Sequence, residues 1–170
     1  MGNWVVLFSR TGSEIADLSE CFGRWPEKIF TNNLDETTWD YRIPPELITP
    51  ATPKQIFEYL ENTSNLFITL HGFMRIIPEH ICERHEIYNG HPGAIDLYPE
   101  LKGKDPQERA WEGKYEKIGS VLHKVTAGVD EGEILEAVSL KNTCTSKDEL
   151  YHTLRLTSFI SWTRFLREKL

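Results

Sequence analysis

Apolar and polar positions alternate in blocks along the chain. Trp4 to Phe8 (WVVLF) is a continuous apolar run, partly β-branched and bounded by polar residues, which predicts a buried strand. Ile15, Leu18 and Phe22 then fall at i, i+3 and i+7, a helical stripe that stops at Gly23. Lys28 to Thr31 predicts a second, short strand. Residues 32–53 are polar and carry prolines at 44, 45, 50 and 53, which predicts a surface excursion. It closes on an N-cap, Thr52, with Pro53 at the first helical position and Gln55 three residues after the cap, ahead of the helix PKQIFEYLE.

NLFITL (65–70) predicts another buried strand, Pro78 starts a short helix running to about Arg84, and EIYN (86–89) predicts a further short strand. After GHPG comes a loop to about Pro106 and a short helix around Gln107–Glu112. GSVLHKV (119–125) and EILEAVSL (133–140) predict two strands separated by the turn TAGVDEG. Ser146 and Glu149 form a capping box for the last helix. Its stripe of Leu150, Leu154, Phe159, Trp162, Phe165 and Leu166 is expected to pack on the sheet. Strands alternating with helices in the first half predict βαβ units. The expected fold class is therefore α/β, a mostly parallel central sheet flanked by helices, with antiparallel strands in the C-terminal half. Ligands in such sheets bind beyond the carboxyl ends of the strands, which directs attention to residues 9–13, 71–76, 89–93 and 126–132.

Length and composition narrow this further. A chain of 170 residues suits one compact domain, 1–170. With 39% hydrophobic and 26% charged residues it reads as soluble and globular. A net charge of −7 and a pI near 5.4 argue against a nucleic-acid partner, which needs a basic face. The absence of a leader or an apolar span predicts a cytoplasmic protein with no membrane partner. Met1-Gly2 would permit myristoylation, but Val6 stands where the signal needs Ser or Thr. Cys21, Cys82 and Cys144 are odd in number and far apart, which argues against a disulfide framework.

Four stretches carry candidate chemistry. SRTGSEI (9–15) is a strand-to-helix turn whose free N–H groups could hold an anion, or an ordinary N-capped turn. HGFMRIIP (71–78) is a core-to-helix junction or a binding wall that places Arg75 near a ligand. EHICERHEIYNGH (79–91) looks like a zinc site, but on a helix His80 and Cys82 point about 200° apart and the spacing matches no common ligand pattern, so no metal is expected. Asn89, His91 and Asp130 supply an oxyanion donor, a general acid or base, and a carboxylate that can hold the imidazole charged. Spacing alone leaves that trio and a pair of polar turns equally open.

Taken in order, these stretches resemble the folate-dependent formyltransferase family, nearest its glycinamide ribonucleotide branch. VVLFSRTGSEI resembles that family's first strand and phosphate turn, HGFMRII its GFMRIL segment, YNGHPG its NIHPS segment, and GSVLHKVTAGVDEGEIL its strand, folate loop and D-x-G ending. The resemblance implies a Rossmann-like formyltransferase fold and 10-formyltetrahydrofolate as formyl donor, without a metal. It implies Asn89, His91 and Asp130 as the catalytic trio, with His123 in support. It implies that Met74, Arg75, Ile76 and Ile77, with Thr126, Ala127, Gly128 and Val129, line the folate pocket. It implies that Arg10, Thr11, Gly12 and Ser13 face a phosphate of the acceptor. The acceptor would be a small-molecule primary amine, glycinamide ribonucleotide first, then a nucleotide-linked amino sugar or another small amine. The chain would be a monomer or homodimer. A folate- or nucleotide-binding homologue without transferase activity is the alternative class. Departures from the family pattern are Gly90, Gly93, Arg10, Glu14, a longer 93–103 segment and a shorter 32–65 segment. A carboxylate at position 14 would repel a phosphate unless Arg10 compensates.

Overall fold

The computed structural model describes residues 3–170; Met1 and Gly2, and with them the myristoylation signal, lie outside the described residues. The chain divides into two compact units, one running to Asn89 together with Val125–Ala127, the other comprising Gly90–Lys124 and Gly128–Leu170.

The first unit is a parallel sheet. Its strands are β1 (Trp4–Phe8), β2 (Lys28–Thr31), β3 (Ile48–Pro50), β4 (Phe67–His71) and, as far as Asn89, β5 (Glu86–His91), in the order β3-β2-β1-β4-β5. Every residue of β1 and β4 is buried, as expected where both faces of a parallel sheet are covered. The chain builds outward from β1 to β2 and β3, then returns to β4 on the other side, so the strand order reverses between β1 and β4. Phe8 pairs with His71 at the carboxyl end of that junction.

Local signals act as predicted. Helix α1 (Ser13–Phe22) ends at Gly23 with φ of 63°, a left-handed cap that glycine adopts without a Cβ clash. Helix α2 (Pro53–Glu61) starts on a complete capping box, Thr52 and Gln55 each satisfying the other's backbone N–H. A short helix, α3 (Glu79–Cys82), follows Pro78.

Two expectations need revision here. Residues 32–53 are not only a surface excursion: they contribute β3 and bury Ile43 at 2% exposure. A three-residue edge strand containing proline leaves almost no periodic trace, and only at an edge can a missing N–H be tolerated. The strand read as EIYN continues through Gly90 to His91.

The second unit holds α4 (Pro106–Gly113), β6 (Lys117–Lys124), β7 (Ile134–Lys141) and α5 (Lys147–Arg167). Strands β6 and β7 are antiparallel, with a bulge between Leu122 and His123. Helix α5 buries Leu150, Leu154, Thr157, Ser161, Trp162 and Leu166. Phe159 and Phe165 are only half-buried. Phe159 stands nine residues beyond Leu150, about half a turn round the helix from it. Thr157 and Ser161, outside the expected stripe, are buried: Ser120 Oγ on β6 bonds the Leu154 carbonyl at 3.0 Å and the Thr157 hydroxyl at 2.9 Å. The Ser146 hydroxyl caps α5 by accepting from the Glu149 N–H, while the Glu149 carboxylate accepts from the Thr145 N–H at 2.7 Å. Among the described residues no helix is long and apolar enough to cross a membrane. The fold is α/β, with parallel strands in its first half and an antiparallel pair in its second.

Candidate active site

His91, the last residue of β5, Asp130, in the β6–β7 turn, and His123, near the end of β6, meet in the second unit. Asp130 Oδ2 lies 3.3 Å from His91 Nδ1, and Asp130 Oδ1 lies 3.3 Å from His123 Nε2. Asp130 reaches inward because its backbone is left-handed, φ 53°, a conformation aspartate tolerates better than most residues. The bulge at His123 re-aims one residue relative to the regular pleat.

Backbone groups complete the cluster. His91 Nε2 donates to the Leu101 carbonyl at 2.8 Å, His123 Nδ1 to the Lys124 carbonyl at 3.0 Å, and the Gly103 N–H donates to Asp130 Oδ2 at 2.8 Å. Each imidazole therefore has an acceptor on both ring nitrogens, an arrangement that the doubly protonated ring satisfies in full. Burial opposes ionisation of Asp130, but hydrogen bonds from His123 and His91, the charge of His91 and the Gly103 N–H outweigh it. They hold the carboxyl well below the usual carboxylate range. The result is a hydrogen-bonded His–Asp–His cluster with little exposed side-chain surface.

Asn89 is half-buried and lies two residues before His91 on β5, so the two side chains leave the strand on the same side. The intervening Gly90 is required by packing: a Cβ there would sit 2.7 Å from Trp162 Nε1. A Cβ on Gly93 would lie 3.1 Å from Pro106 Cβ and 3.2 Å from the His91 ring. Both departures from the family pattern make room for neighbours of this chain.

In the first unit, Gly12 caps α1 with φ of 75°, and the Thr11 hydroxyl accepts from the Ser13 N–H at 3.3 Å. Arg10 and Thr11 are exposed; the Arg10 carbonyl accepts from the Asn33 amide at 2.6 Å. Glu14 pairs with a histidine. Its carboxylate lies 2.7 Å from His71 Nδ1, at the carboxyl end of β4. Trp4 Nε1 donates to the Thr69 hydroxyl, which lies 3.0 Å from His71 Nε2. One relay of protons satisfies the set: Trp4 to Thr69, Thr69 to His71, and His71 Nδ1–H to Glu14. Sequence inspection missed His71; the only available signal was its place at the end of a buried strand.

The 72–77 segment splits by exposure. Met74 and Ile76 are 54% and 66% exposed and Arg75 is exposed, whereas Ile77 belongs to the core at 2%. The Met74 N–H is held by the Ser9 hydroxyl at 2.8 Å. Thr126, Ala127, Gly128 and Val129 are all exposed. The histidines of the zinc-like stretch have separate partners: His85 is buried between the Leu66 N–H and the Leu60 carbonyl, and His80 pairs with Glu61 on the surface. Among the described residues no group of three or more His, Cys, Asp or Glu side chains is arranged to hold a metal ion.

Comparison with known proteins decides the family. The Formyl transferase family model matches residues 44–155, well over half of the chain. The chain belongs to the formyl transferase family. The matched stretch contains Asn89, His91, His123 and Asp130 but stops short of the 10–13 turn. A curated relative, formyltetrahydrofolate deformylase of Corynebacterium sp. strain P-1, is 25% identical over 88 residues, 51% of this chain and 30% of the relative. The chain thus spans about a third of that relative's length. Among solved structures, phosphoribosylglycinamide formyltransferase from Streptococcus pneumoniae superposes with a TM-score of 0.79 at 20% identity, covering 99% of this chain and 98% of its own. A formyltetrahydrofolate deformylase from Pseudomonas syringae gives 0.75 at 22% identity, covering 98% of this chain and 61% of its own. The Rossmann-like formyltransferase fold expected from the sequence is the fold found.

Proposed function

We propose that this chain transfers the formyl group of 10-formyltetrahydrofolate to a primary amine, glycinamide ribonucleotide being the first acceptor to test. The observation that carries the proposal is the His91–Asp130–His123 cluster, lying inside the stretch matched by the family model. An amine attacks the formyl carbon and gives a tetrahedral oxyanion. Asn89 donates to that oxyanion and charged His91 supplies the positive field, contributions of about 3–4 kcal/mol for a well-placed donor. Asp130 orients the His91 ring and takes part in removing the amine proton through water. The C–N bond to the folate then breaks as the proton taken from the amine passes through water to the leaving folate nitrogen, leaving an N-formyl amide and tetrahydrofolate. Met74, Arg75 and Ile76, with Thr126 to Val129, are the exposed strand-end residues suited to the folate, and Arg10 to Ser13 to the acceptor.

One observation favours a second reading of the acceptor. Glu14 puts a carboxylate in the first turn of α1, beside the Gly12 turn, and His71 fixes it there. The helix end is already provided with a negative group, and Asp17, Glu20 and Asp40 engage the guanidinium of Arg42. An amine without a phosphate suits that surface better than a nucleotide or a nucleotide-linked amino sugar. The test is to mix the full chain with 10-formyltetrahydrofolate and a panel of phosphorylated and unphosphorylated amines. Tetrahydrofolate and N-formyl product would be followed together. Release of free formate without any N-formyl product would make it a hydrolase, and donor binding without turnover across the panel would favour a binding protein.

A further inference from the structure

Arg109 touches neither His91 nor Asp130, yet the segment that holds both of them hangs on its guanidinium. Its Nε donates to the Lys104 carbonyl at 2.9 Å, one terminal nitrogen donates to the Glu100 carbonyl, and the other donates to the carbonyls of Leu101 at 3.2 Å and Lys102 at 2.8 Å. Four carbonyls within five residues converge on one fork of five donors, a task no other side chain can perform. The segment opens on a single 3-10 turn, Pro99–Leu101, with Leu101 N–H bonded to the Tyr98 carbonyl and Lys102 N–H to the Pro99 carbonyl, and then turns sharply, Gly103 having φ of 91° and Asp105 φ of 51°. Its Leu101 side chain is buried against Ile95, Ala110 and Val121, while the four carbonyls that point the other way are gathered by Arg109.

The two backbone groups that leave this strap in the other direction both end on the candidate site. The Leu101 carbonyl accepts from His91 Nε2, and the Gly103 N–H donates to Asp130 Oδ2. The Leu101 carbonyl is shared, since its two lone pairs serve Arg109 and His91 at once. We infer that Arg109 is a positioning residue: by clamping residues 100–104 it sets the orientation of the His91 ring and of the Asp130 carboxylate. This rests on the formyl-transfer reading for its kinetic consequence, but its structural claim is independent of it.

The experiment uses the full chain and the variants Arg109→Met and Arg109→Lys, with two readouts. The first is steady-state formyl transfer. Loss of the clamp is expected to lower kcat about 10- to 100-fold with little change in KM for the formyl donor, because misplacement of a reacting group acts on the transition state rather than on binding. Lysine, with three donors and no planar fork, is expected to fall between methionine and the wild type. The second is the NMR signal of the His91 Nε2–H proton, which in the wild type is donated to the Leu101 carbonyl at 2.8 Å. It is expected to shift and exchange at least tenfold faster in both variants. Wild-type kcat in the variants, or an unchanged His91 signal, overturns the inference whatever happens to thermal stability. If Arg109→Met does not fold, Arg109→Lys decides by the same criteria. If the wild type transfers formyl to no amine, the proposed function fails while the NMR comparison still decides the role of Arg109.

Discussion

Trp162 lies against the backbone of Gly90, so close that a Cβ at Gly90 would stand 2.7 Å from the indole nitrogen. One side chain of α5 therefore dictates the residue between Asn89 and His91. The substitution Gly90→Ala forces either the indole or β5 to move, and overpacking of this kind costs about 1–3 kcal/mol. A urea titration is expected to show that loss, and Trp162→Phe, which removes the offending nitrogen, is expected to recover part of it in the double variant. Additive losses would mean the two residues are not coupled.

Asp130 carries the prediction on activity. Asp130→Asn keeps the shape but removes the charge that faces both imidazoles, so transfer should fall about 10²- to 10⁴-fold. Calorimetric binding of the formyl donor should persist. Normal turnover in the folded variant would remove Asp130 from the mechanism.

The same carboxylate predicts a dependence of stability on pH. Burial opposes its ionisation, and His123, His91 and the Gly103 N–H more than offset that, so its folded value lies well below the unfolded value of about 3.9. A depressed carboxyl favours the folded state when ionised. Its contribution is complete above about pH 4 and is lost as the pH falls toward the folded value. Wild type should therefore lose more stability than Asp130→Asn on acidification below about pH 4, read as denaturation midpoints at a series of pH values. Parallel curves would contradict the assignment.

Glu14→Gln preserves an oxygen to accept from His71 Nδ1–H while deleting the charge in the first turn of α1. Binding of inorganic phosphate, measured by calorimetry, should strengthen roughly tenfold, or about 1.4 kcal/mol. Unchanged phosphate affinity would show that the Glu14 carboxylate does not govern what this turn accepts.

What the sequence by itself determined was local and periodic. Buried runs placed β1 and β4, the Thr52–Pro53–Gln55 signal placed the start of α2, and the order of YNGHPG and VDEG pointed to a site. All of these depend on neighbours within a few residues. Tertiary structure alone decided the rest. The use of Gly90 depends on a tryptophan 72 positions away, and Ile77 went to the core while its neighbour Ile76 stayed outside. On α5, Thr157 and Ser161 are buried while Phe159 is only half-buried, and the Thr157 hydroxyl meets Ser120 of β6. Glu14 found His71 across the β1–β4 junction. Arg109 bonds only carbonyl oxygens, which every residue possesses, so no pattern of side-chain letters marks it. A chain spells out the groups that a fold can use; which distant backbone atom each group meets is settled only when the strands and turns have packed.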